Sequence, residues 1–260
     1  MSHRTLELEI SAEIATITLS RPEKRNAISA EMIADLLSAL NEVETNPTRV
    51  LIVTGAGKAF CSGIDLDALK AIATQSPAEH LEDARGTARL LQRIWSFPKP
   101  TIAAVNGPAV GAGCGIATLC DFTIAAPEAK FGYPEVQIGF LPAIVSVFLL
   151  RQVGEKRVHD LLLTGRIFDA AEAHRLGLVT QIAPLQDLLN TARNNAAELL
   201  ACSPLSLLKT KRLLCDFAVP GLDRALELAI AESAQIRSTP ELLEGLASFL
   251  EKRPPRWRST

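Results

Sequence analysis

The sequence is poor in the residue patterns that build metal sites and redox sites. Its five cysteines are odd in number, form no Cys-x-x-Cys pair, and have no histidine spaced to complete a zinc site. The four histidines have no neighbouring nucleophile in the sequence, so they are interpreted as surface or packing residues. We therefore expect reduced, buried thiols and no metal. The cysteines are Cys61, Cys114, Cys120, Cys202 and Cys215.

The chain also lacks an excess of charge of one sign and a long apolar run. With 27 basic and 29 acidic residues the formal charge is −2, which gives no electrostatic reason to expect nucleic acid as a partner. A membrane span needs about 20 apolar residues in a row, and the N-terminal MSHRTLELEI has no signal-peptide core. These absences predict a soluble, cytoplasmic protein without a membrane partner.

The first 150 residues predict alternating strands and helices. Leu6–Ile10 and Ile14–Leu19 alternate as paired strands do, Ser29 is placed to cap a helix through Val43, and Val50–Thr54 is typical of a buried strand. The same order then recurs with a helix at 81–94, a strand TIAAVNG, a glycine-rich turn and a strand at 121–126. This order predicts an α/β fold with parallel strands joined by crossover helices.

After about residue 150 the strand signals nearly stop and helix signals dominate. Asp169 with Glu172 predicts a capping box, and Thr239 before Pro240 predicts another helix start. Helices predicted at 188–200, 205–214 and 222–230 have larger apolar faces than an isolated tail could cover. We expect these faces to pack on the core or on another subunit.

A glycine-rich loop, VTGAGKAFCSGIDL, follows the predicted strand at 50–54. A phosphate-binding P-loop would need Ser or Thr after Gly57-Lys58, where Ala59 stands. A dinucleotide fingerprint would need a third glycine where Phe60 stands. The spacing therefore argues against nucleotide binding.

A second glycine-rich loop, NGPAVGAGCGIATLC, begins at Asn106. Small residues let a ligand approach main-chain N–H groups, and two convergent N–H donors can stabilise charge on a carbonyl oxygen, as in an oxyanion hole. The competing interpretation is that the glycines only allow tight turns and close packing. The presence of two such loops favours the oxyanion hole and a carbonyl substrate.

Several segments in fixed order carry a family resemblance: AFCSGIDL, NGPAVGAGCG, CDFTIAAPEAKFGYPEVQIGF and SFLEKR. Over nearly its whole length the chain resembles the enoyl-CoA hydratase/isomerase, or crotonase, family. The resemblance implies a crotonase-like α/β fold, with a spiral core over residues 1–200 and a C-terminal helical trimerisation or lid region over 201–260. It also implies an acyl-CoA thioester substrate, no separate cofactor, and homotrimers or dimers of trimers.

The resemblance further implies the residues that bind the substrate. The two N–H donors correspond to Ile64 and Ala112, and alanine in place of the family's frequent glycine keeps the backbone donor. The residues expected near coenzyme A are Lys24, Lys58, Ser62 and, from the C-terminal helix of the same or a neighbouring subunit, Lys252.

Glu135 is an acid in the apolar stretch FGYPEVQIGF, where desolvation would raise its pKa and suit a general acid/base. A solvated or ion-paired glutamate is the alternative, and the resemblance favours the catalytic role. Gly115 stands where two-glutamate hydratases have their other acid. Ala143 stands where dienoyl-CoA isomerases and dehalogenases of the family have aspartate, which argues against both reactions.

A single acid suits double-bond isomerisation and does not exclude hydration. We expect hydration of a 2-enoyl-CoA, narrowly ahead of isomerisation of a 3-enoyl-CoA. The alternative from another class is a non-catalytic acyl-CoA binder, and a nicotinamide oxidoreductase is the third.

Overall fold

The computed structural model describes residues 3–218 and 220–258. The strands are β1 (Leu6–Ser11), β2 (Ile14–Leu19), β3 (Val50–Gly55), β4 (Thr101–Val105), β5 (Ala109–Val110), β6 (Phe122–Ala125), β7 (Lys130–Gly132), β8 (Ile167–Asp169) and β9 (Gln181–Ile182). The helices of the first part are α1 (Ala30–Thr45), α2 (Leu66–Ala71), α3 (Pro77–Trp95), α4 (Ala112–Thr118), α5 (Ala143–Val153), α6 (Glu155–Thr164) and α7 (Ala170–Arg175). The later helices are α8 (Leu188–Leu200), α9 (Pro204–Ala218), α10 (Leu222–Ile236) and α11 (Pro240–Leu250).

The strands form two sheets. The larger has the order β1-β2-β3-β4-β6-β9, in which β1 and β2 are antiparallel and every following pair is parallel. The smaller has the order β5-β7-β8, with β5 parallel to β7. The predicted opening hairpin and the parallel strands with crossover helices are confirmed.

Both faces of the central strands β3, β4 and β6 are buried, as expected for parallel strands covered by helices. Leu51 and Val53 of β3 face the main core, which also contains residues of α1, α3, α4 and α5. Val50 and Ile52, which alternate with them, pack instead against Ala192 of α8 and its neighbours. The apolar face predicted at 188–200 therefore packs on the sheet.

The predicted helix starts are formed by side-chain caps. Ser29 accepts a hydrogen bond from the Met32 N–H at 3.2 Å, and Thr239 accepts one from the Leu242 N–H at 3.3 Å. Asp169 caps α7 by accepting from the Glu172 N–H. The predicted capping box is only half formed there, because the Glu172 carboxylate accepts hydrogen bonds from an arginine, Arg166, instead.

The C-terminal helices pack on the same chain. Leu222, Leu226 and Ile230 of α10 lie in the main core, so the face predicted at 222–230 is also covered. Helix α11 packs on the 3₁₀ turn Pro134–Ile138, which contains Glu135. Helix α9 exposes much of its apolar side, at Leu205, Leu208, Leu213, Leu214 and Phe217. The division at residue 200 stays a prediction.

The expectation of buried thiols is correct for three cysteines and wrong for two. Cys61, Cys114 and Cys120 are buried. Cys202 is exposed, because it lies in the surface connection between α8 and α9, and Cys215 is half-buried on α9. Across the ranges 3–218 and 220–258, no helix is both long and apolar enough to span a membrane.

Candidate active site

The first glycine-rich loop is held by Asn26, a buried residue in the turn after β2. Its side-chain amide donates to the carbonyl oxygens of Ala56 at 2.9 Å and Ala59 at 2.8 Å. Its side-chain oxygen accepts from the N–H of Arg21 at 2.9 Å. Asn26 has a φ of 55°, a left-handed conformation that asparagine tolerates better than most residues. One side chain thus joins the turn to both halves of the loop.

The end of this loop leaves one N–H group unpaired. The Ile28 N–H donates to the Gly63 carbonyl at 2.7 Å, and the Asp65 N–H donates to the Ile28 carbonyl at 2.9 Å. Ile64 lies between these two bonds, and its own N–H meets no acceptor among the described residues. The Asp65 carboxylate lies 2.7 Å from the Arg21 guanidinium, which ties the loop to the same turn.

The second loop also contains an N–H group without an acceptor among the described residues. The Val110 N–H donates to the Cys61 carbonyl at 2.9 Å, and the Gly111 N–H donates to the Gly132 carbonyl at 2.8 Å. Ala112 begins α4, where first-turn N–H groups have no partner within the helix. Within the part of the chain that the structure describes, the Ala112 N–H has no acceptor.

Glycines bring the two loops into contact. Cys61 and Ala109 form a parallel bridge between the loops. A Cβ at Gly63 would lie 3.0 Å from the Val110 carbonyl oxygen, and one at Gly113 would collide with the Cys61 carbonyl oxygen. The glycines therefore allow close packing of the two loops, and this packing leaves the N–H groups of Ile64 and Ala112 without acceptors among the described residues.

Glu135 lies beside the second loop. A Cβ at Gly111, which has a φ of 56°, would be only 2.9 Å from Glu135 Oε1, so glycine is required for this approach. The residue retains some exposure, but its Oε2 is shielded from solvent and has no hydrogen-bond partner in residues 3–218 or 220–258. Burial raises the pKa of Glu135 to about 7. A carboxylate with this pKa exchanges protons readily near neutral pH.

Apolar side chains surround Gly115, the position at which two-glutamate hydratases have their second acid. A Cβ at this position would lie 3.2 Å from Val145 Cγ1 and 3.3 Å from both Leu91 methyl carbons. These side chains occupy the space that a longer residue would need. The site is therefore built around Glu135 and not around a pair of acids at positions 135 and 115.

The environments of two thiols and two histidines do not match those of a nucleophile or a base. Burial raises the pKa of Cys61 and of Cys114 to about 12, so both thiols are neutral. His80 is buried with its Nε2 at 3.0 Å from the Ile72 carbonyl, and His174 Nδ1 lies 2.8 Å from the Val179 carbonyl.

Three of the residues expected near coenzyme A lie in neighbouring segments. A Cβ at Gly57 would lie 2.9 Å from Cβ of Pro22, so the loop with Lys58 and Ser62 is packed against the turn with Lys24. Lys24 pairs with Asp67 at 2.9 Å on the surface, and Lys58 is exposed. Lys252 lies just beyond α11, exposed and with a φ of 54°, and the structure shows no contact between it and these three. Their contacts with coenzyme A stay predictions.

Sequence reasoning missed the residues that hold the first loop. No role was predicted for Arg21, Asn26 or Asp65. Their signal in the sequence was the polar run RPEKRN directly before a predicted helix. A polar run of this kind is typical of a solvated turn, and only the fold buries Asn26.

Within the described residues, fold and site define an α/β protein in which two main-chain donors without acceptors lie in loops next to a carboxylate with one shielded oxygen. Residues 9–260 match the family model described as enoyl-CoA hydratase/isomerase, and the chain belongs to this family. The crotonase-like fold class is thereby confirmed.

Named relatives and solved structures resemble the chain over nearly its full length. A Thermus thermophilus protein whose name places it among enoyl-CoA hydratases is 45% identical, over 94% of this chain and 97% of its own. The (E)-benzylidenesuccinyl-CoA hydratase of Thauera aromatica is 37% identical, over 96% and 98%. The crystal structure of an enoyl-CoA hydratase/isomerase from Xanthobacter autotrophicus Py2 has a TM-score of 0.90 and 31% identity, over 96% and 94%.

Proposed function

We propose that the protein is an enoyl-CoA hydratase that adds water to a 2-enoyl-CoA thioester and catalyses the reverse dehydration. The observation that carries the proposal is the buried, unpartnered Oε2 of Glu135, whose other oxygen lies against the glycine of the second loop. The hydratase names of the relatives favour water addition over isomerisation.

The N–H groups of Ile64 and Ala112 donate to the thioester carbonyl oxygen in this proposal. Addition of water at the β-carbon places negative charge on that oxygen as an enolate forms. Both donors are free of acceptors in the described chain, so neither must break a bond to bind the substrate. Removing one such donor typically slows an enzyme by about 100-fold or more.

Glu135 supplies the proton transfers. As a carboxylate it accepts a proton from water while the water oxygen bonds to the β-carbon. The protonated acid then gives a proton to the α-carbon, which collapses the enolate and returns Glu135 to its ionised form. A pKa of about 7 makes both forms accessible at neutral pH. This scheme uses one carboxylate and requires no cofactor beyond the coenzyme A of the substrate.

Isomerisation of a 3-enoyl-CoA is the second candidate, because apolar side chains fill the space around Gly115. One carboxylate would move a proton between the α- and γ-carbons, with the same donors holding the enolate. A non-catalytic acyl-CoA binder would use the same loops without turnover. The nicotinamide oxidoreductase is no longer supported, since the chain belongs to a different family.

Mass spectrometry of a short trans-2-enoyl-CoA after incubation with the protein tests the proposal. Glu135→Gln removes the base with little change in volume, and Glu128→Gln changes an exposed glutamate as a matched control. We expect a gain of one water with the wild type and with Glu128→Gln, and none with Glu135→Gln. An unchanged mass with a shifted double bond would favour the isomerase, and binding without turnover would favour the binder.

A further inference from the structure

Arg237 is a buried arginine at the C-terminal end of α10. Its side chain is 6% exposed, and its Nη1 donates to Oδ2 of Asp83 at 3.2 Å. Its guanidinium carbon lies 5.4 Å from the centre of the Phe140 ring, as in a cation–π contact. Its Nε–H is shielded from solvent and meets no acceptor in the described ranges. A permanently charged group therefore carries an unused donor in the protein interior.

Apolar side chains connect this arginine to the candidate active site. Phe140 belongs to a buried hydrophobic cluster, and the partly buried side chains of Ile64 and of Ile236, the residue before Arg237, pack against that cluster. The Phe140 N–H donates to the Glu135 carbonyl oxygen at 2.9 Å. Arg237 is thus separated from the catalytic turn by a single aromatic ring.

Stability alone does not account for an arginine at this position. Asp83 is 40% exposed, so its ion pair with Arg237 is expected to contribute little to stability, and an unsatisfied buried donor is destabilising. Gln75 donates to the same Asp83 oxygen at 3.1 Å and leaves its own buried Oε1 unpaired. The side chains of Arg237 and Gln75 therefore meet at one oxygen of Asp83. Among the described residues, Nε of Arg237 and Oε1 of Gln75 have no hydrogen-bond partner.

We propose that Arg237 binds a carboxylate at the distal end of the substrate's acyl group. The inference rests on the proposed function, since it places the acyl chain along the apolar side chains between Ile64 and Arg237. An alkyl end would leave the Nε–H unpaired, whereas a carboxylate oxygen accepts from it in the planar geometry that guanidinium favours. Asp83 is 40% exposed, so solvent screens its charge from a second carboxylate. The preferred substrates are 2-enoyl-CoA thioesters of dicarboxylic acids.

The test compares two acyl groups of equal length. One substrate is trans-2-hexenoyl-CoA, and the other is its six-carbon analogue ending in a carboxylate in place of the methyl group. We expect the wild type to prefer the carboxylate substrate at least tenfold in kcat/KM. Arg237→Met should lower the ratio of kcat/KM for the carboxylate substrate to that for the hexenoyl substrate about 10- to 100-fold, the usual effect of a hydrogen bond to a charged group.

Arg93→Met is the matched control, because Arg93 also lies over an aromatic ring, Phe97 at 5.1 Å, and pairs with a carboxylate, Glu44. It should leave the substrate preference unchanged. Equal or better turnover of hexenoyl-CoA by the wild type would overturn the proposal. This comparison does not depend on whether a variant folds.

Calorimetric titration with the two saturated acyl-CoA analogues separates this inference from the proposed function. If the wild type turns over neither enoyl thioester, hydration fails, and binding then decides the role of Arg237. Tighter binding of the carboxylate analogue that is lost in Arg237→Met supports the subsite. Equal binding of both analogues to the wild type rules it out.

Discussion

Glu135 combines two properties that ordinary surface glutamates do not share. Its Oε2 is shielded from solvent without a partner, and burial raises its pKa to about 7. The structure shows no cation paired with this carboxylate among the described residues, and its Oε2 is free to meet a water molecule or a substrate carbon. At the residue scale this is the property on which the proposed catalysis depends.

Replacing Glu135 should remove activity and its pH dependence together. Glu135→Gln should lower kcat by about 100- to 10,000-fold, the usual contribution of a general acid/base. In the wild type, kcat/KM should fall as the pH drops below about 7, because the protonated acid cannot accept a proton from water. Initial rates across this range check both points. A pH-independent wild-type rate would contradict the assignment of the base.

Gly115 gives a second prediction at the residue scale. Gly115→Ala should be tolerated, since its Cβ meets only side-chain methyl groups that can shift by tenths of an ångström. Gly115→Glu should destabilise the protein by about 2–3 kcal/mol, because it places an acid among Leu91 and Val145. Urea unfolding measures both changes. A Gly115→Glu protein of wild-type stability would show that the space is not closed.

At the scale of elements, the site is made where two loops meet. The first loop follows β3 and depends on the turn after β2, and the second follows β4 and contains β5 and the start of α4. In each loop some N–H groups are used in main-chain hydrogen bonds, whereas those of Ile64 and Ala112 have no acceptor among the residues that the structure describes. The donors are therefore oriented before any substrate binds, which is the requirement for electrostatic preorganisation.

The side-chain amide of Asn26 should control the position of the Ile64 N–H, because it holds the first loop. Asn26→Asp keeps the shape and the acceptor for the Arg21 N–H, but it cannot donate to the carbonyls of Ala56 and Ala59. We expect about a tenfold or greater loss of kcat, with about 1–3 kcal/mol lower stability from the unpaired carbonyls. Asn46→Asp is the control, since the structure shows Asn46 using its side-chain oxygen as an acceptor for the Thr48 N–H. Equal activity of both variants would exclude a role for Asn26 in the loop.

At the scale of the whole molecule, Glu135 links stability to pH. Its folded pKa of about 7 lies above the ordinary value of 4.5, so the folded state holds the proton more tightly than the unfolded state does. Stability should fall as the pH rises from about 4.5 to about 7, by up to about 3 kcal/mol.

Unfolding of Glu135→Gln measures this linkage. The variant should be more stable than the wild type at pH 8 and close to it at pH 4.5, because glutamine resembles the protonated acid. Glu128→Gln, at an exposed position, should follow the wild type at both values. The same difference between Glu135→Gln and wild type at both pH values would refute the linkage.

Association between subunits is the second prediction at this scale. The exposed apolar side of α9 fits the expected homotrimer or dimer of trimers. The test replaces Phe217, which is 70% exposed on α9, by glutamate. The matched control replaces Leu163, which is 73% exposed on α6, by glutamate. Light scattering should show a trimer or hexamer for the wild type and Leu163→Glu, and smaller species for Phe217→Glu. A monomeric wild type would contradict the expectation.

The sequence by itself determined the order of the five longest strands, the two glycine-rich loops and the acid at position 135. These features follow from local causes: side-chain periodicity, capping residues and glycine spacing act over a few neighbouring positions. The opening hairpin, α1 after Ser29 and α11 after Thr239 were predicted correctly for this reason. The two-residue β9 is too short to carry a periodic signal and was missed.

The tertiary structure alone decided which N–H groups remain free, what surrounds Gly115 and what covers the catalytic turn. Each depends on residues that are far apart in the chain. The Val110 N–H donates to the Cys61 carbonyl, for example, whereas the Ala112 N–H has no acceptor among the described residues. The buried position of Arg237 beside Phe140 arises in the same way, from the packing of α10 against distant elements. Hydrogen-bond satisfaction and burial belong to the folded whole, so no local pattern in the sequence encodes them.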